Sequence, residues 1–448
     1  MILHELTASE AAAAIRRREV SPVDLTEALL GRIESLEANV RAWALVDRDG
    51  MRAAAQRLAE EAARGSLRGP LHGVPFAAKD IFYSAGLRTE AGSKVYAGFV
   101  PTYDATSVAR LKAAGAILLG KVQTTEFATL DPAPTRNPWN FAHTPGGSSS
   151  GPAAAVAARM VPVALGSQTA GSVLRPASYC GVVGLKPTFG RVSLRGVVPL
   201  SWTQDHVGFM ARSVEDVALL LQGTAGHDPA DPSSAREPVP DYVAAIERRR
   251  PPRIGFLREF FLERGDRDVV QATSEAVERL ARAGALVEEA KLPPSFSVIN
   301  AAGWIIIRVE TAAFHADLYR EKAALYGPKI RGIIETGSLI PGQLYLRALR
   351  IRRRFRREME PLLERFDVLL TPTTTTPAPE GLGSTGDPLF QLPWSTAGFP
   401  TITLPCGLSA SRLPLGLQLI AAPFAEPSLL AAAAWCQDVL GRAPAPPL

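Results

Sequence analysis

"TPGGSSSGPAAAVAARMVPVALGSQTAGSVLRPASYCGVVGLKP", Thr144 to Pro187, holds six serines, no histidine and small residues at a density too high for an ordinary core. A serine that attacks a substrate needs a base beside it, and the usual candidate is histidine. The chain has six histidines, His4, His72, His143, His206, His227 and His315, none within a recognisable motif. No G-x-S-x-G nucleophile elbow occurs either, so each histidine reads as structural. H-E-x-x-H, C-x-x-C and acidic clusters are missing too, which leaves no expected metal or cofactor. The glycines of "GPLHGVP" lack the G-K-[ST] ending of a phosphate-binding loop.

Lysine is the remaining base. "GVPFAAKDIF" places Lys79 at the end of an apolar strand, directly before Asp80. A base must be neutral, and at a reference pKa near 10.4 only about one lysine in a few thousand is neutral at pH 7. Burial among small apolar groups can lower that pKa by about 3–5 units. Lys79 therefore works as a base only if it is buried with a hydroxyl partner, and the serine-glycine segment can supply both.

The flanking chain alternates between strand and helix patterns. "GVPFAAKDI" and "AILLGKV" read as short buried strands, with the helical "DATSVARLKAAGA" between them. Thr7 and Glu10 have capping-box spacing. Ser21 and Pro22 open a second helix, and "DGMRAAAQRLAEEAARG" supplies a third. "DHVGFMARSVEDVALLLQG" reads as a helix beginning near Ser213. The Pro- and Asp-rich "GHDPADPSSAREPVPDY" is a surface connection, after which "PRIGFL" resumes a strand. Residues 296–343 read as mainly helical, and "FPTITLPCG" with "LPLGLQLIA" as paired strands. The helix "QLYLRALRIRRRFRREMEPLLERF" carries an apolar stripe, so its arginines read as a solvated face and not as an RNA-binding one.

Composition sets the limits. A length of 448 residues suits two or three ordinary domains, but one large α/β sheet can fill it. Hydrophobic residues make up 46 % and charged ones 21 %, which is ordinary globular usage. The net charge of +5 is spread widely and gives no sign of a nucleic-acid surface. Cys180, Cys406 and Cys436 lie far apart and suit a reducing compartment. The N-terminus reads as an amphipathic helix and not a signal peptide, and no apolar run approaches the roughly 20 residues of a membrane span. A cytoplasmic protein without membrane contact is the expectation.

"PGGSSSGPAAAVAA", followed by "GSQTAGSVLRPASYCGVVGLKPTFGRVS", resembles the amidase signature family. The likeness runs upstream through "LHGVPFAAKD", "LLGKVQTTEFA" and "RNPWN", and downstream through "DHVGFMARSVEDVALLL", "DVLLTPT" and "GFPTITLPCGL". It implies an α/β/α sandwich with a large mixed central sheet flanked by helices. It also implies one amidase domain over 1–448, a signature core at 60–225 and a variable helical substrate-side region at 228–343. The family's Ser-cisSer-Lys triad falls on Lys79, Ser148 and Ser172, with a cis peptide expected before Ser148. The resemblance further assigns an oxyanion hole to the backbone N–H groups of Thr169, Ala170, Gly171 and Ser172, where one donor is typically worth about 3–4 kcal/mol. Ser149 and Ser150 are read as site lining, Ser167 and Ser178 as structural, and Arg175, Lys186 and Asp205 as supporting charges.

Here the chain departs from the commonest family form, which has Asp at the position of Gln168 and Gly at that of Ala170. Alanine there is familiar in allophanate-hydrolase-like members. The leading expectation is an amidase that hydrolyses a small carboxamide to a carboxylate and ammonia or an amine, through an acyl-enzyme on Ser172. One alternative is the glutaminase (A) component of an aspartyl/glutamyl-tRNA amidotransferase, acting with partner subunits. The other is an inactive binding relative. A homodimer is compatible with the first reading, and direct contact with nucleic acid is not expected.

Overall fold

"PFAAK" forms a central strand because apolar side chains project to both sides of its backbone and both sides are covered. The computed structural model describes residues 1–448. Eleven strands form one sheet: β1 Trp43–Val46, β2 Pro75–Lys79, β3 Ile117–Val122, β4 Val163–Gln168, β5 Val183–Lys186, β6 His206–Ala211, β7 Arg253–Phe256, β8 Leu286–Glu289, β9 Val368–Pro372, β10 Thr401–Leu408 and β11 Pro414–Ile420. Their order across the sheet is β1-β3-β2-β4-β6-β5-β10-β11-β9-β7-β8. β2 runs parallel to β3 and β4, and β7 runs parallel to β8 and β9. The remaining pairs are antiparallel, so the sheet is mixed.

The period of two along each strand sorts side chains into two apolar layers. Phe76 and Ala78 of β2, Val163 and Leu165 of β4, and Val207 and Phe209 of β6 enter one layer. Ala77, Ala164 and Met210 enter the other. The helices Pro22–Val40 and Arg48–Ala63 close the second layer with Leu25, Leu29, Ile33, Met51 and Leu58. The helices Val214–Thr224 and Glu426–Leu440 close the first with Val217, Leu221, Leu429 and Leu430. The result is the expected α/β/α sandwich.

The expected caps are present. Thr7 and Glu10 form a full capping box, Ser21 accepts from Val23 N–H, and Ser213 accepts from Asp216 N–H. "DHVGFMARSVEDVALLLQG" divides: its first half is β6, and the helix begins only at Val214. All six β6 residues are buried between β4 and β5, and a continuous apolar run of that length reads equally as strand or buried helix. Residues 228–343 hold β7 and the edge strand β8 as well as helices. The helix Phe296–Lys322 is, with its following turn, long and apolar enough by composition to cross a membrane, contrary to the run-length expectation. In the fold it packs against the helices Pro328–Ser338 and Gly342–Arg365, and it carries the buried Glu310 and His315.

Candidate active site

Lys79 is the last residue of β2, buried completely where the strand leaves the sheet. Its Nζ lies 2.8 Å from Ser148 Oγ and 2.9 Å from Ser167 Oγ. Burial holds its pKa well below the ordinary lysine value, and the carboxylate of Asp205 opposes that shift. The next residue, Asp80, pairs with the buried Lys121 at 3.5 Å, so that carboxylate is committed to a different cation. Burial brings Lys121 down to about 8.

Ser148 follows a cis peptide bond to Gly147. Gly146 has a φ of +82°, and a methyl group there would stand 2.9 Å from Pro176 Cα. At Gly147 a methyl group would stand 2.7 Å from Thr385 Cγ2. Both glycines are therefore steric requirements of the loop. Arg175 Nη2 donates to the Gly147 carbonyl at 2.7 Å, and Thr125 N–H donates to the Ser148 carbonyl at 3.2 Å. Ser150 Oγ donates to Gly146 O at 2.6 Å and Ser149 Oγ to Ser167 O at 3.2 Å. Both neighbouring serines thus brace the loop.

Ser172 sits at the end of the turn that follows β4. Gln168 organises this turn: its Oε1 accepts from Val173 and Leu174 N–H at 2.8 and 2.9 Å, capping the helix Leu174–Cys180. Its Nε2 donates to Ser395 Oγ, which in turn donates to Ala170 O at 2.7 Å. A neutral amide therefore holds the turn from both ends, without adding a negative charge. Thr169 Oγ1 donates to Asp205 at 2.5 Å, and Asp205 also accepts from Leu200 and Ser201 N–H. Burial raises Asp205 to about 6 against those three donors. The backbone N–H groups of Thr169, Ala170, Gly171 and Ser172 donate to no protein acceptor.

Of the expected residues, the structure joins Lys79 and Ser148 directly. Ser172 is linked to the same loop through its carbonyl, which accepts from Ser149 N–H at 3.3 Å, and its hydroxyl makes no hydrogen bond with Ser148. Ser167 belongs with the lysine, a contact that its distance from Lys79 in sequence concealed. Its position one residue before the end of β4, beside the strand that carries Lys79, was the available signal. Lys186 donates to Pro187 O and is brought down to about 7 by burial, and Phe399 O also accepts from it. His206 is buried, contacts Gln168 O and is held well below its ordinary value by burial.

The cavity over Ser172 is walled by Ala170, Leu200, Trp304, Ile307 and Ile333, and Arg175 is the single charged residue lining it. A larger groove, lined by Ser9, Arg16, Glu215 and Asp241, holds none of these residues. The smaller cavity is the one that Thr169, Ala170 and Ser172 line.

The Amidase family model matches residues 24–430. The A component of the glutamyl-tRNA(Gln) amidotransferase of Roseiflexus sp. (strain RS-1) is 42 % identical over 96 % of this chain and 95 % of its own. Among solved structures, a chain from a vestigial protein complex bearing on the evolutionary origins of an s-triazine catabolic enzyme superimposes with a TM-score of 0.92. It is 33 % identical over 98 % of this chain and 100 % of its own. The native peptide amidase of Stenotrophomonas maltophilia gives a TM-score of 0.84 at 32 % identity over 99 % of this chain and 98 % of its own.

Proposed function

Because the chain belongs to the amidase signature family, we propose that it hydrolyses a primary carboxamide at Ser172 and releases ammonia. The observation that carries this reading is the buried Lys79 with its Nζ 2.8 Å from Ser148 Oγ. Burial favours the neutral amine, and only the neutral amine can accept a proton. Ser167 gives one of the amine N–H groups an acceptor, which leaves the lone pair for Ser148.

In the first step Ser172 Oγ bonds to the amide carbon and gives its proton to Ser148, while Ser148 gives its own to Lys79. The carbonyl oxygen takes up the electron pair and is met by the N–H groups of residues 169–172. The proton then returns from Lys79 through Ser148 to the nitrogen, the C–N bond breaks and ammonia leaves. Water next attacks the ester on Ser172, its proton following the same relay. Collapse of that intermediate returns a proton to Ser172 Oγ and frees the carboxylic acid.

Two settings share this chemistry. The curated relatives favour the glutaminase component of an amidotransferase, which takes ammonia from glutamine for a partner protein, over the free amidase expected first. The free amidase is favoured by one feature of the site, the mainly apolar cavity wall beside a turn held by Gln168 and Ser395. Ammonia release by the purified chain separates them. Turnover of simple amides without partners supports the free enzyme, and glutaminase activity that appears only with partner subunits supports the amidotransferase component. Loss of neither activity in Ser172→Ala would refute both.

A further inference from the structure

Each carbonyl of the turn that leads from β4 to Ser172 is held by a donor. Ser395 Oγ donates to Ala170 O at 2.7 Å, Gln204 Nε2 to Thr169 O at 3.1 Å, and His206 Nδ1 to Gln168 O at 3.2 Å. The fourth carbonyl, Gly171 O, accepts from Arg175 N–H at 2.9 Å as the next helix begins. The one cis peptide of the chain precedes Ser148, so every peptide of this turn is trans. A trans peptide is planar, and its C=O and the following N–H point in opposite directions. A donor fixed on a carbonyl therefore fixes the direction of the next residue's N–H. The N–H groups so directed are those of Thr169, Ala170, Gly171 and Ser172, none of which has a protein acceptor.

The three side-chain donors are themselves constrained. Gln168 Nε2 donates to Ser395 Oγ at 2.9 Å, so the proton of that hydroxyl is left for Ala170 O. A carboxylate at position 168 would take the Ser395 proton instead and release Ala170 O. Burial keeps His206 neutral, its Nδ1 proton is spent on Gln168 O, and its Nε2 is buried without a partner. Ser395, Gln204 and His206 are all buried, so water does not compete for the carbonyls they hold.

We propose that Ser395, Gln204 and His206 are positioning residues, which aim the N–H groups of Gly171, Ala170 and Thr169 at the oxygen of the substrate carbonyl. This rests on amide hydrolysis at Ser172 and assigns the side chains that preorganise its oxyanion site. Donors already in place need no reorganisation as charge develops on that oxygen. Their loss is felt by an oxygen and much less by a sulfur, which is a weak hydrogen-bond acceptor.

The test is the rate at which Ser172 is labelled by a fluorophosphonate and by its thiophosphoryl counterpart, in which sulfur replaces the P=O oxygen. In each reaction Ser172 Oγ bonds to phosphorus, fluoride leaves and the serine proton passes to the relay. Ser395→Ala should slow the oxygen reagent about tenfold and the sulfur reagent less than about threefold, with the thermal transition still cooperative. Gln204→Met keeps the side-chain length, removes the donor to Thr169 O and should give the same split. It decides the matter should Ser395→Ala fail to fold. A merely structural role would slow both reagents equally, and that result overturns the proposal, as does an unchanged rate. A wild-type adduct on a residue other than Ser172 refutes the amidase reading instead, so the two readings fail by different results.

Discussion

The strand-end cluster around Lys79 and the helical wall formed by 296–365 meet at one cavity but are built in opposite ways. The cluster is made of short polar groups on β2, β4 and their adjoining turns, and Lys79, Ser148, Ser167 and Gln168 are all buried. The wall is made of long helices, and its charged groups divide between the surface and one buried strut. That strut is Glu310, which accepts from Ser201 Oγ at 2.5 Å, from Thr203 N–H and Oγ1, and from Tyr345 OH. Arg352 Nη1 donates to the same Thr203. The loop 201–205 so held ends at Asp205, which receives the hydroxyl of Thr169 in the Ser172 turn. The candidate triad residues are thus positioned by the sheet and its turns and much of the cavity's apolar wall by the helices, with one loop joining them.

Substitutions should separate the two regions. The largest losses belong to the cluster: Ser172→Ala and Lys79→Met should each lower kcat by about 10³–10⁴-fold or more while leaving the thermal transition cooperative. The double variant should be little worse than either single one, because groups in one relay are not additive. Additive losses would break the relay. Next comes Ser167→Ala, expected to cost about tenfold in kcat through one lost hydrogen bond to the amine. No change there would return Ser167 to a merely structural role.

The pH profile tests the electrostatic link. Burial lowers the Lys79 pKa, so kcat/KM should fall as pH drops through that pKa and the amine takes a proton. The Asp205 carboxylate raises the Lys79 pKa, so removing it lowers that pKa further. In Asp205→Asn the acid limb should therefore move to lower pH, and an upward movement would contradict the link.

Changes in the wall should act on substrate ranking or stability. Trp304→Ala should alter the order of preferred amides by about tenfold with smaller changes in kcat. Glu310→Gln should cost about 1–3 kcal/mol of stability by weakening a buried carboxylate's hydrogen bonds, read by thermal or denaturant unfolding. The smallest effect belongs to Arg350→Ser and Arg353→Ser on the helix Gly342–Arg365, which should change kcat/KM by less than about threefold.

The same contrast explains what could be read from sequence. β2, β3, β10 and β11 are bounded by turn residues and were legible as strands, and the capping residues Thr7, Ser21 and Ser213 marked three helix starts. β4 was hidden because Val163–Gln168 lies inside a run of small residues with no alternation, and β1 because Trp43–Val46 sits between two helices. Lys79 could be singled out as a candidate base because a lysine ending an apolar strand needs a reason, whereas Ser148 was chosen from its neighbouring serines only by the resemblance to the amidase signature family. The partnership of Ser167 with Lys79 spans 88 residues and arises only from the pairing of β2 with β4. Arg175 was read as a supporting charge, and its bond to Gly147 O joins two segments that lie apart in sequence. Tertiary hydrogen bonding, more than local pattern, carried what was missed.

The most direct measurement is peptide mapping after a fluorophosphonate reaction of the wild type and of Lys79→Met, compared at equal time and pH. One adduct on Ser172 in the wild type, with labelling strongly slowed in Lys79→Met, is the predicted result. An adduct on Ser149 or Ser150, or labelling of Ser172 that proceeds at the same rate without the lysine, would contradict a nucleophile activated by Lys79.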